Sequence, residues 1–188
     1  DNPIKLSANE SALGASPKAI KALEKDKDKI FNYPEPDSDS LREVIAKKFN
    51  IAFDRIICGA GSDQIFDFVC KLFLESNDEV IVTEFGFVMH RIYASLHGAQ
   101  VLLAKERNYK ASVEEILKQV TDKTKIVFIA NPNNPTGTYL TKNEMLNLRK
   151  KLRSNILLVV DDAYFEFLNK DDFASGLDLF KDSENVLV

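Results

Sequence analysis

Three short stretches carry the residue types that could do chemistry. The longest is Asn131-Pro132-Asn133-Asn134-Pro135-Thr136-Gly137, an unbroken run of turn formers. Its prolines fix the backbone, Gly137 permits a tight exit, and the asparagines offer amide donors and acceptors. The run is longer than a plain strand-to-helix connection needs. The second stretch is Asp161-Asp162-Ala163-Tyr164, directly after the apolar residues Ile156–Val160. A carboxylate placed there is partly desolvated and needs a cationic or hydrogen-bonding partner. Asp161 reads either as a ligand contact or as a helix cap or turn residue, a role that Asp162 could fill equally well. The third stretch is Gly59-Ala60-Gly61-Ser62-Asp63, ahead of an amphipathic pattern. Backbone N–H groups at the positive end of a helix make an anion site, most naturally for a phosphate. The same glycines would also serve a simple tight turn. The third glycine of a dinucleotide fingerprint is missing, since Gln64 and Ile65 follow, and the Gly-Lys-Ser/Thr of a P-loop is absent.

Two aromatic residues have the same double reading. Tyr164 lies in an aromatic segment with Phe165 and Phe167, and Phe87 follows Gly86. Each is a core candidate, and each could also meet a planar ligand.

The elements that must position these residues follow from periodicity. Short apolar runs at Arg55–Cys58, Val80–Thr83, Val101–Ala104, Ile126–Ala130, Ile156–Val160 and Asn185–Val188 read as strands. Between them lie helical patterns at Ile65–Phe73, Gly86–His97, Val113–Val120 and Glu144–Leu152. Ser16-Pro17 reads as a helix start, and Ser40-Leu41-Arg42-Glu43 and Thr141-Lys142-Asn143-Glu144 read as capping boxes. Leu41, Val44, Ile45 and Phe49 follow the first box at helical spacing. Tyr33-Pro34-Glu35-Pro36 must be non-helical. Strands apolar on both faces, alternating with helices, predict an α/β fold: a three-layer sandwich with a mainly parallel sheet. All three polar stretches then lie along one sheet edge, where open α/β sheets bind ligands.

Composition excludes several classes. The 188 residues carry a net charge of -4 with acids and bases interleaved, which gives no basic stripe for nucleic acid. Cys58 and Cys70 lack metal or redox spacing, and His90 and His97 are the only histidines. No transition-metal site and a cytoplasmic, reduced setting are expected. No apolar run approaches membrane-spanning length. A start at Asp1 and an end in the strand-like Asn185-Val186-Leu187-Val188 suggest a piece of a longer protein.

The three stretches together ask for a ligand with a phosphate, a flat ring, a basic ring nitrogen and a polar ring substituent. Pyridoxal 5'-phosphate has all four. A carboxylate beside its pyridine nitrogen would keep that nitrogen protonated.

Asn131–Gly137 with Asp161–Tyr164 resembles the fold-type I, pyridoxal-phosphate-dependent aminotransferases, and more narrowly the histidinol-phosphate branch. Leu6-Ser7-Ala8-Asn9-Glu10, Tyr33-Pro34, Gly59–Asp63 and Thr83-Glu84-Phe85-Gly86-Phe87 are similar to further family motifs, in the family's order. The resemblance spans the whole chain. It implies the large domain of that fold over residues 31–188, incomplete, after an arm and first helix at 1–30, with no small carboxyl-terminal domain. It implies that Gly61, Ser62 and Asp63 bind the phosphate, that Phe87 stacks on the ring, and that Asn134 and Tyr164 bond the ring oxygen. Asp161 would pair with the ring nitrogen, Tyr33 would reach the cofactor of a second copy in a homodimer, and Asn9 would close over an amino-acid or keto-acid substrate. Histidinol phosphate with 2-oxoglutarate is the implied substrate pair, and the aromatic amino-acid branch shares many of these motifs.

The sequence departs from the pattern in two places. His90 stands where many members carry a tyrosine, and no lysine sits in the Ser-Lys context of the family's Schiff-base lysine, so no catalytic residue is assigned. A non-catalytic cofactor- or anion-binding fragment, and a nucleotide-binding enzyme of the doubly wound kind, are the competing readings.

Overall fold

A computed structural model describes residue 4 and residues 8–188. Leu6 and Ser7 of the amino-terminal arm lie outside the described residues. Helix α1 (Pro17–Asp26) begins at the expected proline, but the Ser16 side chain makes no capping bond. Helix α2 (Asp39–Phe49) starts one residue before the expected box. Ser40 does not cap it. The Ser40 N–H and hydroxyl instead donate to the Glu35 carboxylate, at 2.9 and 3.3 Å, so a side chain between two prolines takes the place of the box. Neither helix buries a residue, and Leu41 and Val44 stay exposed.

The strand expected at Arg55–Cys58 does not form. Phe53–Arg55 is a 3₁₀ turn, and Ile56 is extended, but among the described residues no strand lies beside it. The Arg42 guanidinium takes the carbonyls of Phe53 and Ile56, at 3.1 and 2.9 Å, in place of a ladder. Local β-propensity without a pairing edge makes no strand.

From residue 61 the expected alternation appears. Helix α3 (Gly61–Phe73) is followed by β1 (Glu79–Thr83), α4 (Val88–Leu96), β2 (Gln100–Ala104) and α5 (Val113–Lys118). Then come β3 (Thr124–Ala130), α6 (Lys142–Lys151), β4 (Leu157–Asp161), α7 (Gly176–Phe180) and β5 (Val186–Leu187). The strands form one parallel sheet in the order β2-β1-β3-β4-β5.

Strand alternation divides the core between two faces. Ile81, Val127, Ile129, Leu158 and Val160 pack on one face with Ile116 of α5, Met145 and Leu148 of α6 and Phe180 of α7. Val80, Val82, Ile126, Phe128 and Val159 pack on the other with Phe66, Val69 and Cys70 of α3 and Ala94 of α4. Each buried aliphatic or phenyl side chain contributes roughly 1.5–3 kcal/mol by leaving water. The result is the three-layer α/β sandwich expected from the sequence. No helix among the described residues is long and apolar enough to cross a membrane.

Candidate functional site

The sheet order places a topological switch point between β1 and β3, because the chain moves from β1 to one side for β2 and to the other for β3. Ligands of open α/β sheets sit outside the carboxyl ends of the strands at such a point. Here the segments leaving β1, β3 and β4 meet the start of α3 around a cavity of about 120 Å³. Ser62, Phe87, Asn134, Asp161 and Tyr164 line it, with Ala130, Pro132 and Ala163.

Each segment is fixed for a local reason. Ala130 and Asp161 are register partners at the ends of β3 and β4, and the Asn131 N–H donates to the Asp161 carbonyl at 2.9 Å. The Asn131 amide, 1% exposed, then works as a backbone mimic. Its Oδ1 accepts from the Leu140 N–H at 2.7 Å and its Nδ2 donates to the Leu140 carbonyl at 3.2 Å. Asn133 is a brace of another kind. Its Nδ2 donates to the Phe85 carbonyl at 3.0 Å, and its backbone pairs with Thr138 and Gly137. Of the turn's three asparagines, two hold the turn and Asn134 alone lines the cavity. Both of its prolines follow cis peptide bonds.

Asp161 ends β4 with its side chain 9% exposed. Its Oδ1 accepts from the Ala163 N–H at 3.2 Å, and its Oδ2 lies 3.3 Å from His90 Nε2. A carboxylate has about four lone-pair sites, so these two contacts leave acceptor capacity for a ligand. Asp162 points elsewhere: its Oδ2 accepts from the Gly176 N–H at 2.5 Å, capping the start of α7 from fourteen residues away. Burial pushes its carboxyl up to about 7, against the backbone hydrogen bonds from Gly176 and Leu177.

At the start of α3, Gly61 has φ +75 and nothing within 4 Å of where a Cβ would sit. Ser62 reaches the cavity, whereas Gly61 and Asp63 flank it without lining it. The Ala60 N–H is taken by Gln64 Oε1 at 2.7 Å. Phe87 lines the cavity and meets Phe66 edge-on with centroids 6.5 Å apart, so its core and ligand readings are both geometrically served. One acceptor site of the Tyr164 hydroxyl is used, because Asn9 Nδ2 donates to it at 2.8 Å. Tyr33 is fully exposed and away from the cavity. Sequence reasoning left His90 without a role. The signal available was its spacing, three residues after Phe87, which as the residue before α4 meets the His90 ring of the first turn.

The donor set fits a phosphorylated, planar, nitrogen-containing ring: backbone N–H groups at a helix start, a carboxylate, an amide, a phenol and a phenyl face. Among the described residues no group of histidines, cysteines, aspartates and glutamates could hold a metal ion.

Comparison with known proteins agrees with this arrangement. The family model for aminotransferase class I and II matches residues 1–188. The histidinol-phosphate aminotransferase of Pelagibacter ubique is 59% identical over 187 residues, covering 100% of this chain and 52% of that protein. That of Paramagnetospirillum magneticum is 44% identical over 188 residues, again covering 52% of the relative. The chain thus spans about half the length of the curated relatives it matches. Among solved structures, a putative histidinol-phosphate aminotransferase from Erwinia carotovora atroseptica has a TM-score of 0.91 at 26% identity, over 98% of this chain and 55% of that one. The Sinorhizobium meliloti histidinol-phosphate aminotransferase, solved in complex with pyridoxal-5'-phosphate, has a TM-score of 0.89 at 24% identity, over 95% of this chain and 49% of that one. Fold, switch-point cavity and family match coincide, and the chain belongs to the aminotransferase class I and II family.

Proposed function

We propose that this chain carries the pyridoxal 5'-phosphate cradle of an aminotransferase acting on histidinol phosphate and 2-oxoglutarate in histidine biosynthesis, the activity being that of the whole protein. The observation that carries the reading is the convergence of Ser62, Phe87, Asn134, Asp161 and Tyr164 on one cavity at the carboxyl edge of the sheet. The two relatives named above support the substrate assignment.

In this reading the start of α3, with Gly61, Ser62 and Asp63, holds the phosphate through backbone N–H groups and the Ser62 hydroxyl. Phe87 covers one ring face. Asn134 and Tyr164 bond the ring oxygen, and Asn9 holds the Tyr164 hydroxyl in place. Asp161 would accept a hydrogen bond from the protonated ring nitrogen. When bound, the cofactor supplies an electron sink for negative charge at the substrate alpha carbon. Asp161 makes that sink effective by keeping positive charge on the ring, and the walls of Ala130, Pro132 and Ala163 keep water off it.

Residues 1–30 form an arm and first helix in this reading, and residues 31–188 the cofactor-binding large domain. A homodimer accounts for the exposure of Tyr33 and for the absence of buried residues in α1 and α2. Two free cysteines fit a cytoplasmic setting.

The test is cofactor binding and turnover by the full-length protein. Saturable binding of pyridoxal phosphate, lost in Asp161→Ala and weakened in Asn134→Ala, is expected, with histidinol phosphate turned over in preference to phenylalanine. Unchanged binding in both variants would sink the cofactor assignment. A preference for the aromatic amino acid would overturn the substrate.

A further inference from the structure

We propose that Gln64 is a positioning residue for the phosphate site: its side-chain oxygen closes the loop before α3 on itself, so that the N–H groups of Ser62 and Asp63 are left to face the cofactor phosphate. The inference rests on the cofactor reading above and adds a residue that does not itself line the cavity.

Gln64 stands where a dinucleotide fingerprint beginning at Gly59 would have its third glycine. It is the fourth residue of α3, and a helical side chain leans back toward the amino end. Its Oε1 accepts from the Ala60 N–H at 2.7 Å. Ala60 is the N-cap and has no polar side chain, so α3 has no side-chain cap of the ordinary kind. Gln64 closes the turn from inside the helix instead. Gly59 makes room for this. A Cβ there would lie 3.2 Å from Gln64 Oε1 and 3.0 Å from Ile65 Cδ1. The Gly61 N–H, at φ +75, donates to the Gly59 carbonyl at 2.9 Å.

The donors at the helix start are thereby sorted. The first N–H groups of a helix have no partner within it. Here the Ala60 N–H goes to Gln64 and the Gly61 N–H to Gly59. Among the described residues no backbone carbonyl accepts from the Ser62 or Asp63 N–H. Ser62 already lines the cavity, so these neighbouring donors lie at the positive end of α3 beside it. Without the Gln64 oxygen, the Ala60 N–H competes for the same anion, and the flexible Gly59–Gly61 segment is free to turn. The Ser62 and Asp63 donors then lose their fixed aim. A site ordered before its ligand arrives binds more tightly than one ordered by it.

The experiment uses the full-length protein. Gln64→Met keeps the length of the side chain and removes its oxygen, and Gln64→Glu keeps an acceptor. Affinity is measured for pyridoxal phosphate and for pyridoxal, which lacks the phosphate. The ³¹P shift of the bound cofactor and the melting temperature of the cofactor-free form are measured beside it. Gln64→Met is expected to weaken pyridoxal phosphate binding on the order of tenfold, the size of one hydrogen bond to a charged group. It should move the ³¹P signal toward that of free cofactor and leave pyridoxal binding as it is. Gln64→Glu should recover most of the loss. If Gln64→Met melts lower but keeps native affinity and shift, Gln64 is a helix cap only and the proposal is overturned. Equal losses for pyridoxal and pyridoxal phosphate overturn it too, as does a Gln64→Glu that binds no better than Gln64→Met. If the wild-type protein binds pyridoxal as tightly as pyridoxal phosphate, the phosphate site of the cofactor reading fails and takes this role with it. Should Gln64→Met not fold, amide hydrogen exchange in the wild-type protein decides. An Ala60 amide protected with and without cofactor, beside Ser62 and Asp63 amides protected only with it, supports the proposal. An Ala60 amide protected only when cofactor is bound overturns it.

Discussion

Ala130 and Asp161 stand opposite each other at the carboxyl ends of β3 and β4, and the residue after Ala130 donates its N–H to the Asp161 carbonyl at 2.9 Å. The Asn/Pro turn and the Asp161 segment are therefore one rigid unit. Within that unit the asparagines divide their tasks. Asn131 is buried and satisfies both backbone groups of Leu140, itself 1% exposed.

Asn131→Ala should therefore be a stability variant. It leaves a buried N–H and a buried carbonyl without partners, at a cost of about 2–4 kcal/mol. Asn134→Ala should change the unfolding free energy by no more than about 0.5 kcal/mol, yet weaken cofactor binding. Urea unfolding of both variants beside a cofactor titration checks the division. A stability loss at Asn134 equal to that at Asn131 would contradict it.

Asp162 supplies a pH dependence. Its carboxyl is raised from 3.8 to about 7, first by burial and then by the neighbouring Asp161 and Asp178 charges. Its Oδ1 is buried and has no hydrogen-bond partner among the described residues, beside the apolar groove that lies between residues 56–57 and β5. Between pH 4 and 7 the folded state holds a proton that the unfolded chain has lost, so this group makes stability fall as pH rises. A shift of about three units caps the effect near 4 kcal/mol. Asp162→Asn keeps the acceptor for Gly176 and removes the titration. Its melting temperature relative to wild type should rise from pH 5 to about pH 7 and level off above it. A constant difference across that range would contradict the raised carboxyl.

The sequence made the parallel sheet and the three polar clusters legible because both depend on local pattern. Runs such as Ile156–Val160 are apolar on both faces, and the Thr141 capping box is encoded within four residues. Where the pattern failed, the deciding partner lay outside the periodic stretch itself, from five to 71 positions away. Arg42 takes the Ile56 carbonyl that a strand at Arg55–Cys58 would have used, and among the described residues no strand is present to pair with it. Ser40 finds Glu35 rather than its own helix. Asp162 caps α7 across a loop, and His90 reaches Asp161 from 71 positions away. Periodicity carries no information about such pairs.

The Thr141 box offers a local stability test. Thr141 Oγ1 accepts from the Glu144 N–H at 3.3 Å, and Glu144 Oε2 accepts from the Thr141 N–H at 2.7 Å. Burial pushes the Glu144 carboxyl up, but Lys110 and Thr141 outweigh it and hold it below its ordinary value. That contribution is present above the ordinary carboxylate range and lost as pH falls through the lowered one. Thr141→Ala should cost about 1 kcal/mol at neutral pH, and Thr141→Ala with Glu144→Ala should cost less than the sum of the two singles. Additive losses in thermal melts would show that the two bonds are independent.

Two glycines separate strain from crowding. At Gly86 an added Cβ would lie 2.5 Å from Thr83 Oγ1 and 3.2 Å from the Thr83 carbonyl oxygen. The neighbouring Phe85 carbonyl is the acceptor of the Asn133 brace, so a shift there reaches both Phe87 and the turn. Gly86→Ala should cost about 1–3 kcal/mol and weaken cofactor binding with it. Gly61 has open space for a Cβ but sits at φ +75, where an alanine costs roughly 1–2 kcal/mol. Relief of that strain would re-aim the first N–H groups of α3, so Gly61→Ala should also lose affinity, most clearly for the phosphate. Gly98 is the control, with φ +77, nothing within 4 Å of a Cβ and no place in the cavity. Gly98→Ala should incur the same stability loss and bind cofactor as wild type does. If Gly61→Ala and Gly98→Ala behaved alike in a titration with pyridoxal phosphate, the start of α3 would not be the phosphate site.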